Sequence, residues 1–392
     1  MNIGATVFSQ LMDYVDLPEF RSIVRARDTG RRKTRFTCWE QFLCMMLAQL
    51  TNRESLRDIE ASLRALGPRL YHAGLRSTVS RSTLAYANEH RPWQIYQDVA
   101  YGLIARARVL YHGERLLDEL DAAVYALDAT IIDLCMSLFP WARGHHYVGS
   151  TAGVKLHTLL DVNADLPVFA RVSEANVREV RVLDELVFEP GAYYVLDRGY
   201  LSFLRLRRID LAGAFFVIRA RRGMNFRLIE SMAVNRISGI RVDQKIRLAH
   251  ARTFQDYPDE LRRIRYFDPE HERSYVYLTN NFLLEALTVA ELYRSRWQVE
   301  LFFKWIKQHL HIKAFYGTTR NAVYTQIWIA LAAFVLVAIV KKELHLDRSL
   351  YEILRILSTT LFVKEPIYQV LTLTHLQDEQ TLDPNQLSLF HL

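Results

Sequence analysis

The stretch that decides the fold is residues 193–200, which read Tyr-Tyr-Val-Leu-Asp-Arg-Gly-Tyr. An apolar strand ends there on Asp197, where a glycine turn begins. Residues 124–132 (Val-Tyr-Ala-Leu-Asp-Ala-Thr-Ile-Ile) repeat the arrangement, with Asp128 as the lone charge in an otherwise apolar strand. A buried carboxylate is costly unless it is paired or bound to a metal. The two patterns therefore predict strands that carry functional carboxylates, although a strand-end cap is the commoner role for either Asp taken alone.

Two such strands lying side by side would bring both carboxylates to one divalent ion. Mg²⁺ suits this arrangement, because it takes few protein carboxylates and leaves its other positions to water and phosphate oxygens. A helix in residues 291–310 offers a third carboxylate. One face of that helix carries Tyr293, Arg296, Glu300 and Lys307.

Glu300 could complete the metal site, while Arg296, Lys304 and Lys307 could hold a phosphate backbone nearby. A salt-bridged amphipathic helix is the alternative, since Arg296 and Glu300 are also an i,i+4 pair.

The regions around these motifs differ in the spacing of their apolar residues. Residues 1–112 show helical spacing, clearest in 38–50, 55–66 and 93–110. From about residue 121 the chain reads as strands, with a helical stretch at 177–187. The predicted strands are 122–135, 153–161, 167–173, 192–197, 214–220, 226–229, 240–249, 263–267 and 274–278. Helical spacing returns after residue 286 and persists.

Composition indicates a folded protein with a polyanionic partner. The 392 residues include 50 basic and 43 acidic side chains, giving +7 and a pI near 9.2. Basic residues concentrate in two segments, which suits a polyphosphate, although solvated faces are an equal alternative. The first segment contains Arg21, Arg25, Arg27, Arg31, Arg32, Lys33 and Arg35; the second contains Arg205, Arg207, Arg208, Arg219, Arg221, Arg222 and Arg227.

Three cysteines without metal-ligand spacing predict a reduced, cytoplasmic protein, and we expect no signal peptide at residues 1–8. Residues 322–340 carry no formal charge and are long enough to span a membrane. Thr325 and Gln326 interrupt that stretch and no other segment resembles a span, so we predict a buried core helix and no membrane association.

A possible DNA-recognition helix follows a turn at residues 75–80. It is rich in Ser, Arg, Thr and Asn, whose side chains reach phosphates and base edges. Arg81 and Asn88 are the predicted contacts. A plain helical hairpin is an equally common explanation of the same pattern.

Together these motifs resemble one family. Tyr293, Arg296, Glu300 and Lys307 match the Tyr-Arg-Glu-Lys signature of bacterial insertion-sequence DDE transposases of the hairpin-forming, cut-and-paste group. Asp128 in Asp-Ala-Thr is similar to the first acidic motif of that group, and Asp197-Arg198-Gly199-Tyr200 to its Asp-x-Gly-Tyr motif. The order of the three motifs agrees as well, which makes the resemblance much more specific than any motif alone.

The resemblance implies an α/β fold: a ribonuclease-H-like mixed sheet with flanking helices, interrupted by a β-rich insertion and preceded by an all-helical DNA-binding region. The expected division is 1–112 (DNA-binding), 113–204 (first part of the core), 205–285 (insertion), 286–345 (second part of the core) and 346–392 (C-terminal helices and tail). In this family a Trp of the insertion stacks on a flipped base. No Trp lies between Trp141 and Trp297, so either the hairpin step proceeds differently or another ring takes this role: Phe215, Phe216, Phe226, Tyr266 or Tyr275.

The implied activity is metal-dependent cleavage at insertion-sequence ends and strand transfer into target DNA. Asp128, Asp197 and Glu300 would hold two Mg²⁺ ions, for which Mn²⁺ could substitute. Tyr293, Arg296, Lys304 and Lys307 would bind double-stranded DNA, and a homodimer would join the two ends. The alternatives are a stand-alone nuclease of the same fold and an inactive, transposase-derived regulator.

The C-terminal residues 386–390 resemble the peptide by which bacterial replication proteins dock on the sliding clamp. Leu387, Leu389 and Phe390 would fill an apolar groove, Gln386 would fix the register, and Ser388 fits the remaining position. A C-terminal strand or cap packed back on the core is the alternative.

Overall fold

A computed structural model describes residues 4–28, 35–115, 120–142, 152–309 and 315–372. The N-terminal part is helical, as predicted: α1 (Val7–Met12), α2 (Leu17–Arg27), α3 (Cys38–Leu50), α4 (Leu56–Leu66), α5 (Arg81–His90) and α6 (Gln94–Leu110). Side-chain caps fix where several of these helices begin. Ser55 accepts a hydrogen bond from the Asp58 amide, and Thr37 forms a capping box with Glu40.

Nine strands of the described residues form one mixed sheet, and all nine lie where the sequence predicts strands. They are β1 (Val124–Leu134), β2 (Ala152–Asp161), β3 (Leu166–Glu174), β4 (Tyr193–Leu196), β5 (Phe215–Arg219), β6 (Phe226–Ser231), β7 (Ile240–Leu248), β8 (Leu261–Asp268) and β9 (Arg273–Thr279). The spatial order is β3-β2-β1-β4-β5-β9-β8-β7-β6. Strand β4 is parallel to both β1 and β5, and every other pairing is antiparallel.

Seven further helices follow β4 in the described residues, and most of them contact the sheet. They are α7 (Phe203–Leu211), α8 (Ala251–Asp256), α9 (Ala286–Ser295), α10 (Trp297–His309), α11 (Arg320–Glu343), α12 (Leu350–Thr360) and α13 (Ile367–Thr372). The predicted helix at 177–187 is only a short 3₁₀ turn, Glu179–Asp184. Helix α11 is apolar and long enough to cross a membrane, but its apolar stretch is entirely buried, as a core helix requires.

The predicted boundaries at 112 and 345 do not separate independent cores. One hydrophobic cluster contains side chains of α1, α3 and α6 together with α11, α12 and α13. Backbone bonds join the two ends of the fold, because the Val7 amide donates to the Val363 carbonyl at 2.9 Å. Helical spacing marks the elements but does not reveal which of them share a core, so the division at 112 and 345 stays a prediction.

The predicted insertion, residues 205–285, includes β5. Strand β5 pairs in parallel with β4, so it belongs to the same run of strands as the two Asp motifs. Strands β6 to β9 extend that sheet through the β5–β9 pairing instead of forming a separate one. A buried ion pair, Arg262 with Asp243 at 2.7 Å, lies within this extension.

Candidate active site

The two Asp motifs meet because β1 and β4 are parallel neighbours. Leu127 pairs with Leu196 in the register of these strands, and Asp128 and Asp197 each follow by one residue. The two carboxylates therefore lie at adjacent positions of the sheet, as the sequence predicted.

Burial dominates the electrostatics of Asp128, whose side chain is 19% exposed. Desolvation raises the pKa of Asp128 to about 6. A hydrogen bond from the Ala129 amide and the nearby Arg296 charge oppose that rise, whereas the charges of Asp197 and Glu300 add to it. The hydrogen bond and the Arg296 charge therefore do not fully offset the cost of burying the Asp128 carboxylate beside two other acids.

Arg296 connects the acidic residues. Its Nη1 donates to Asp128 Oδ2 at 2.8 Å, and its Nη2 donates to Glu300 Oε1 at 2.6 Å. The predicted single helix over 291–310 is two helices, with a turn at Arg296 between α9 and α10. Arg296 thus lies at the junction, where its side chain reaches from Glu300 on α10 to Asp128 on β1.

Tyr293 contacts the remaining acid, Asp197. Its hydroxyl donates to Asp197 Oδ1 at 3.2 Å, and its ring lies 5.9 Å from the Arg296 guanidinium carbon. Burial, followed by the charge of Asp197, raises the pKa of Tyr293 to about 12, so the hydroxyl keeps its proton. Asp128, Asp197, Glu300, Tyr293 and Arg296 are therefore brought together in one contiguous site.

The sheet also places Arg219 beside this site, which the motifs did not predict. Leu196 pairs with Ile218, so Arg219 lies next to Asp197 across β4 and β5. The Arg219 guanidinium carbon is 4.9 Å from the Tyr275 ring centroid, and the Tyr277 ring is 4.7 Å from Tyr293. In the sequence, the feature that indicates a role for Arg219 is its place at the end of an apolar strand within the second basic segment. Other members of that segment differ, since Arg205 and Arg208 both pair with Asp184.

The two lysines of α10 differ in position. Lys307 Nζ donates to the Ile131 carbonyl on β1 at 2.8 Å, three residues beyond Asp128. Lys304 is exposed. Both lie on the helix that carries Glu300.

Arg81 and Asn88, the two DNA contacts predicted in the N-terminal region, differ in their exposure. Arg81 is exposed at the first turn of α5, which Ser80 caps, and it borders a groove with Arg57, Glu60 and Arg64. Asn88 is 1% exposed, and its Oδ1 accepts a 2.7 Å hydrogen bond from Gln41. The prediction of Asn88 as a DNA contact was wrong, because that side chain is used inside the helical core. Residues 386–390 lie outside the described residues.

The donor set fits a hard divalent cation, since three carboxylates supply only oxygen ligands. Their oxygens do not all lie within 4.8 Å of one another. Arg296 donates to two of the three carboxylates, Asp128 and Glu300. Within the described ranges, the group that does meet that distance is Asp268, Glu270 and His271 at the β8–β9 turn. There Asp268 accepts hydrogen bonds from the Glu270 amide and pairs with His271, as a turn-capping residue does.

The chain belongs to the DDE transposase family, because a family model described as Transposase DDE domain matches residues 119–336, more than half of its 392 residues. Its function is that of a DNA transposase, and this membership implies dependence on divalent metal. A second family model, described only as a domain of unknown function, matches residues 3–76.

Two sequence relatives agree with this assignment. The protein y4zB of Sinorhizobium fredii, named as a transposase, is 32% identical over 276 residues, which are 69% of this chain and 74% of that protein. A Geobacillus stearothermophilus protein, named as the transposase for insertion sequence element IS5377, is 33% identical over 214 residues, 54% of each chain. A cryo-EM structure of the piggyBac transposase synaptic complex with hairpin DNA aligns at 12% identity with a TM-score of 0.46, over 94% of this chain and 80% of that one.

Proposed function

We propose that the chain cleaves DNA at the ends of its insertion sequence and transfers those ends into target DNA by a cut-and-paste route. The observation that carries this proposal is the convergence of Asp128, Asp197 and Glu300 on one site, linked by Arg296 and Tyr293. Membership of the transposase family and the insertion-sequence names of relatives support it.

The proposed core is ribonuclease-H-like. Its support is the strand order β3-β2-β1-β4-β5, in which three antiparallel strands are followed by two parallel ones. The first two acids lie on its central pair of strands, and Glu300 comes from a helix packed on β1. Strands β6 to β9 are the β-rich insertion of this scheme.

Asp128, Asp197 and Glu300 would hold two Mg²⁺ ions, or Mn²⁺ in their place. Such ions supply an activated water or 3′-hydroxyl and stabilise the leaving oxygen of an in-line displacement. The chain itself orients the ligands: the Ala129 amide fixes Asp128, and the Tyr293 hydroxyl fixes Asp197. The β1–β4 register holds the two Asp backbones at a fixed separation.

Basic side chains around the acids would hold the DNA strands. Arg219 borders Asp197 within the sheet, and Lys304 and Lys307 lie further along α10 from Glu300. This set extends along both sides of the acids, as a bound phosphate backbone requires.

We place the chain in the hairpin-forming group of the Tyr-Arg-Glu-Lys signature, with Tyr275 as the aromatic residue in the role of the missing Trp. Tyr275 is half-buried beside Arg219. Phe216 is fully buried and Tyr266 nearly so, which leaves neither ring open for a base. Phe226 lies on β6 at the far edge of the sheet, and Phe215 lies at the opposite end of β5 from Arg219. Tyr275 is therefore the candidate ring beside the acidic site.

A homodimer would bring two element ends together in the cytoplasm, each subunit acting on one end. Closed two-fold assembly is the commonest way for two identical sites to be paired.

A joining assay tests the proposal. The purified chain is mixed with a pre-cut terminal duplex of its own element, a supercoiled target plasmid and Mg²⁺. We expect the labelled end to become covalently attached to the plasmid. Cleavage of uncut ends without joining would identify a stand-alone nuclease, and sequence-specific binding without cleavage would identify a regulator.

A further inference from the structure

Arg296 lies where a metal ion would have to enter. Its guanidinium forms ion pairs with Asp128 and Glu300 at once, at 2.8 and 2.6 Å, and the side chain is only 16% exposed. Both carboxylates belong to the proposed metal ligands. An ion bound between them would compete with Arg296 for the same oxygen atoms.

The spacing of the acids agrees with this competition. The ligand oxygens of Asp128, Asp197 and Glu300 do not all lie within 4.8 Å of one another, as those of a closed carboxylate cluster would. The Arg296 guanidinium occupies one oxygen of Asp128 and one of Glu300, so neither of these two atoms is free for a cation while both ion pairs persist. Closing the acids on a cation therefore requires the Arg296 head group to leave.

The guanidinium has a second place to go. Of its five N–H donors, two make the ion pairs, and Nε has no hydrogen-bond partner among the described residues. A phosphate diester accepts two parallel hydrogen bonds from the same fork, so it can replace both carboxylates. Arg219 and Lys307 border the site and favour a strand there.

We propose that Arg296 exchanges between the acids and a DNA phosphate, so that binding of the divalent metal and binding of DNA are coupled. This inference rests on the proposed metal-dependent function. Without DNA, Arg296 holds the acids apart and keeps metal affinity low. When a phosphate takes over the guanidinium, the carboxylates are released for metal. The arrangement limits cutting by metal-loaded enzyme in the absence of a correctly placed strand.

The coupling has two measurable signs. First, loss of Arg296 should raise metal affinity in the absence of DNA, because the ion no longer displaces two charge-assisted hydrogen bonds. Second, by reciprocity, Ca²⁺ should tighten DNA binding by the unmodified chain and should do so much less without Arg296. A residue that only stabilised the fold would change neither quantity in this way.

The experiment measures Mn²⁺ binding to the full chain without DNA, by the loss of the free-ion electron paramagnetic resonance signal. We expect Arg296→Gln to bind Mn²⁺ about tenfold or more tightly than the unmodified chain. In the unmodified chain the ion must first displace two charge-assisted hydrogen bonds, and each of these stabilises the metal-free site substantially. Arg296→Lys keeps the charge but cannot bridge both acids, so it should fall between the two. Circular dichroism checks the fold, and the Lys variant serves if the Gln variant does not fold.

Arg294→Gln is the matched control, because it removes the same charge from an exposed neighbour that contacts Tyr266 instead of the acids. Its Mn²⁺ affinity should stay within about threefold of the original, as expected for an exposed, solvent-screened charge that does not contact the acids. Equal tightening by both variants would reduce the effect to net charge and overturn the coupling.

Asp197→Asn in each background separates the two proposals. Mn²⁺ binding that survives this change places the ion elsewhere, which contradicts the proposed metal site. Mn²⁺ binding that depends on Asp197 but is unchanged or weakened in Arg296→Gln leaves the metal site standing and overturns the exchange.

Discussion

Asp128 bears its charge where burial disfavours it, and the surrounding residues only partly offset that cost. The Ala129 amide and Arg296 stabilise the carboxylate, while Asp197 and Glu300 oppose it. A site of this kind gains most from a bound cation, since one divalent charge relieves both the desolvation and the repulsion. The same logic explains why a positively charged side chain occupies the centre of the site.

Arg219 and Lys304 should contribute phosphate contacts. Replacing either with Ala should weaken binding to all DNA sequences alike and lower the slope of log affinity against log salt by about one unit, because one fewer counterion is released. Fluorescence anisotropy in Ca²⁺ between low and moderate salt measures the slope. Lys364→Ala, on the exposed turn before α13, is the control and should leave the slope unchanged. An unaltered slope for Arg219→Ala would return that residue to a purely structural role beside Tyr275.

His157 should make the fold sensitive to acid. It is fully buried against Ser173, and burial together with Lys155 and Arg171 lowers the pKa of His157 to about 3. The unfolded chain takes up a proton near pH 6.5 but the folded chain does not, so stability falls as pH drops from about 6.5 towards 3. The expected loss from this group is about 1.4 kcal/mol per pH unit within that window.

The measurement is urea unfolding of the original chain and of His157→Gln at pH 7, 6 and 5. The Gln side chain can still bond to Ser173 but cannot titrate, so the difference in stability between the two proteins should shift in favour of the variant as pH falls. A difference that stays constant with pH would show that the pKa of His157 is the same in the folded and unfolded chains.

At the scale of elements, pairing register explains what the motifs alone could not. Strands β1 and β4 were predictable because Asp128 and Asp197 stand out in apolar runs, and the spacing of Tyr293, Arg296 and Glu300 identified the third part of the site. The motifs could not predict that Arg219 lies beside Asp197, because this position depends on the β4–β5 register, which links residues distant in sequence. The break between α9 and α10 was missed because Arg296 interrupts the helix without disturbing its apolar spacing.

Two residues of α5 should have different roles, Arg81 in DNA recognition and Asn88 in stability. Arg81→Ala should relax sequence preference for the terminal repeat and leave the unfolding free energy unchanged, because the side chain is exposed beside the groove of Arg57 and Arg64. Asn88→Ala should lower the unfolding free energy by roughly 1–3 kcal/mol, because it leaves the buried Gln41 amide without its partner.

Competition binding with scrambled repeats and urea unfolding check the two variants of α5, both in the full chain. The isolated fragment 1–112 is unsuitable, since its helices share a core with α11 to α13. An unchanged sequence preference in Arg81→Ala would move end recognition to another surface.

At the scale of the whole molecule, the fold is more unified than its sequence indicates. The change from helical to strand spacing near residue 121 is genuine, but one apolar cluster crosses it and joins both ends of the chain. Helix α11 explains this, because it packs against α3, α5 and α6 as well as α12. Composition could indicate that α11 is buried, whereas its partners are set by long-range packing that a single sequence does not encode locally.

Clamp docking would add a second contact to the whole assembly. A fluorescent peptide of residues 381–392 should bind purified bacterial sliding clamp with micromolar affinity, as is usual for so small an apolar contact. Leu389→Ala combined with Phe390→Ala should abolish that binding. The absence of saturable binding, or binding that the double change leaves intact, would remove the clamp from the list of partners.

The proposed mechanism depends most on the three acids, and replacing each of them in turn tests their role. Terminal-duplex cleavage in Mg²⁺ is compared among the original chain, Asp128→Asn, Asp197→Asn and Glu300→Gln, with Glu291→Gln, an exposed acid on α9, as the control. Each amide keeps the shape of the side chain but loses the charge that holds metal. We predict that all three changes abolish cleavage while DNA affinity in Ca²⁺ stays within about tenfold, and that the control cleaves normally. Robust cleavage by any one of the three variants would contradict the assignment of that residue to the site.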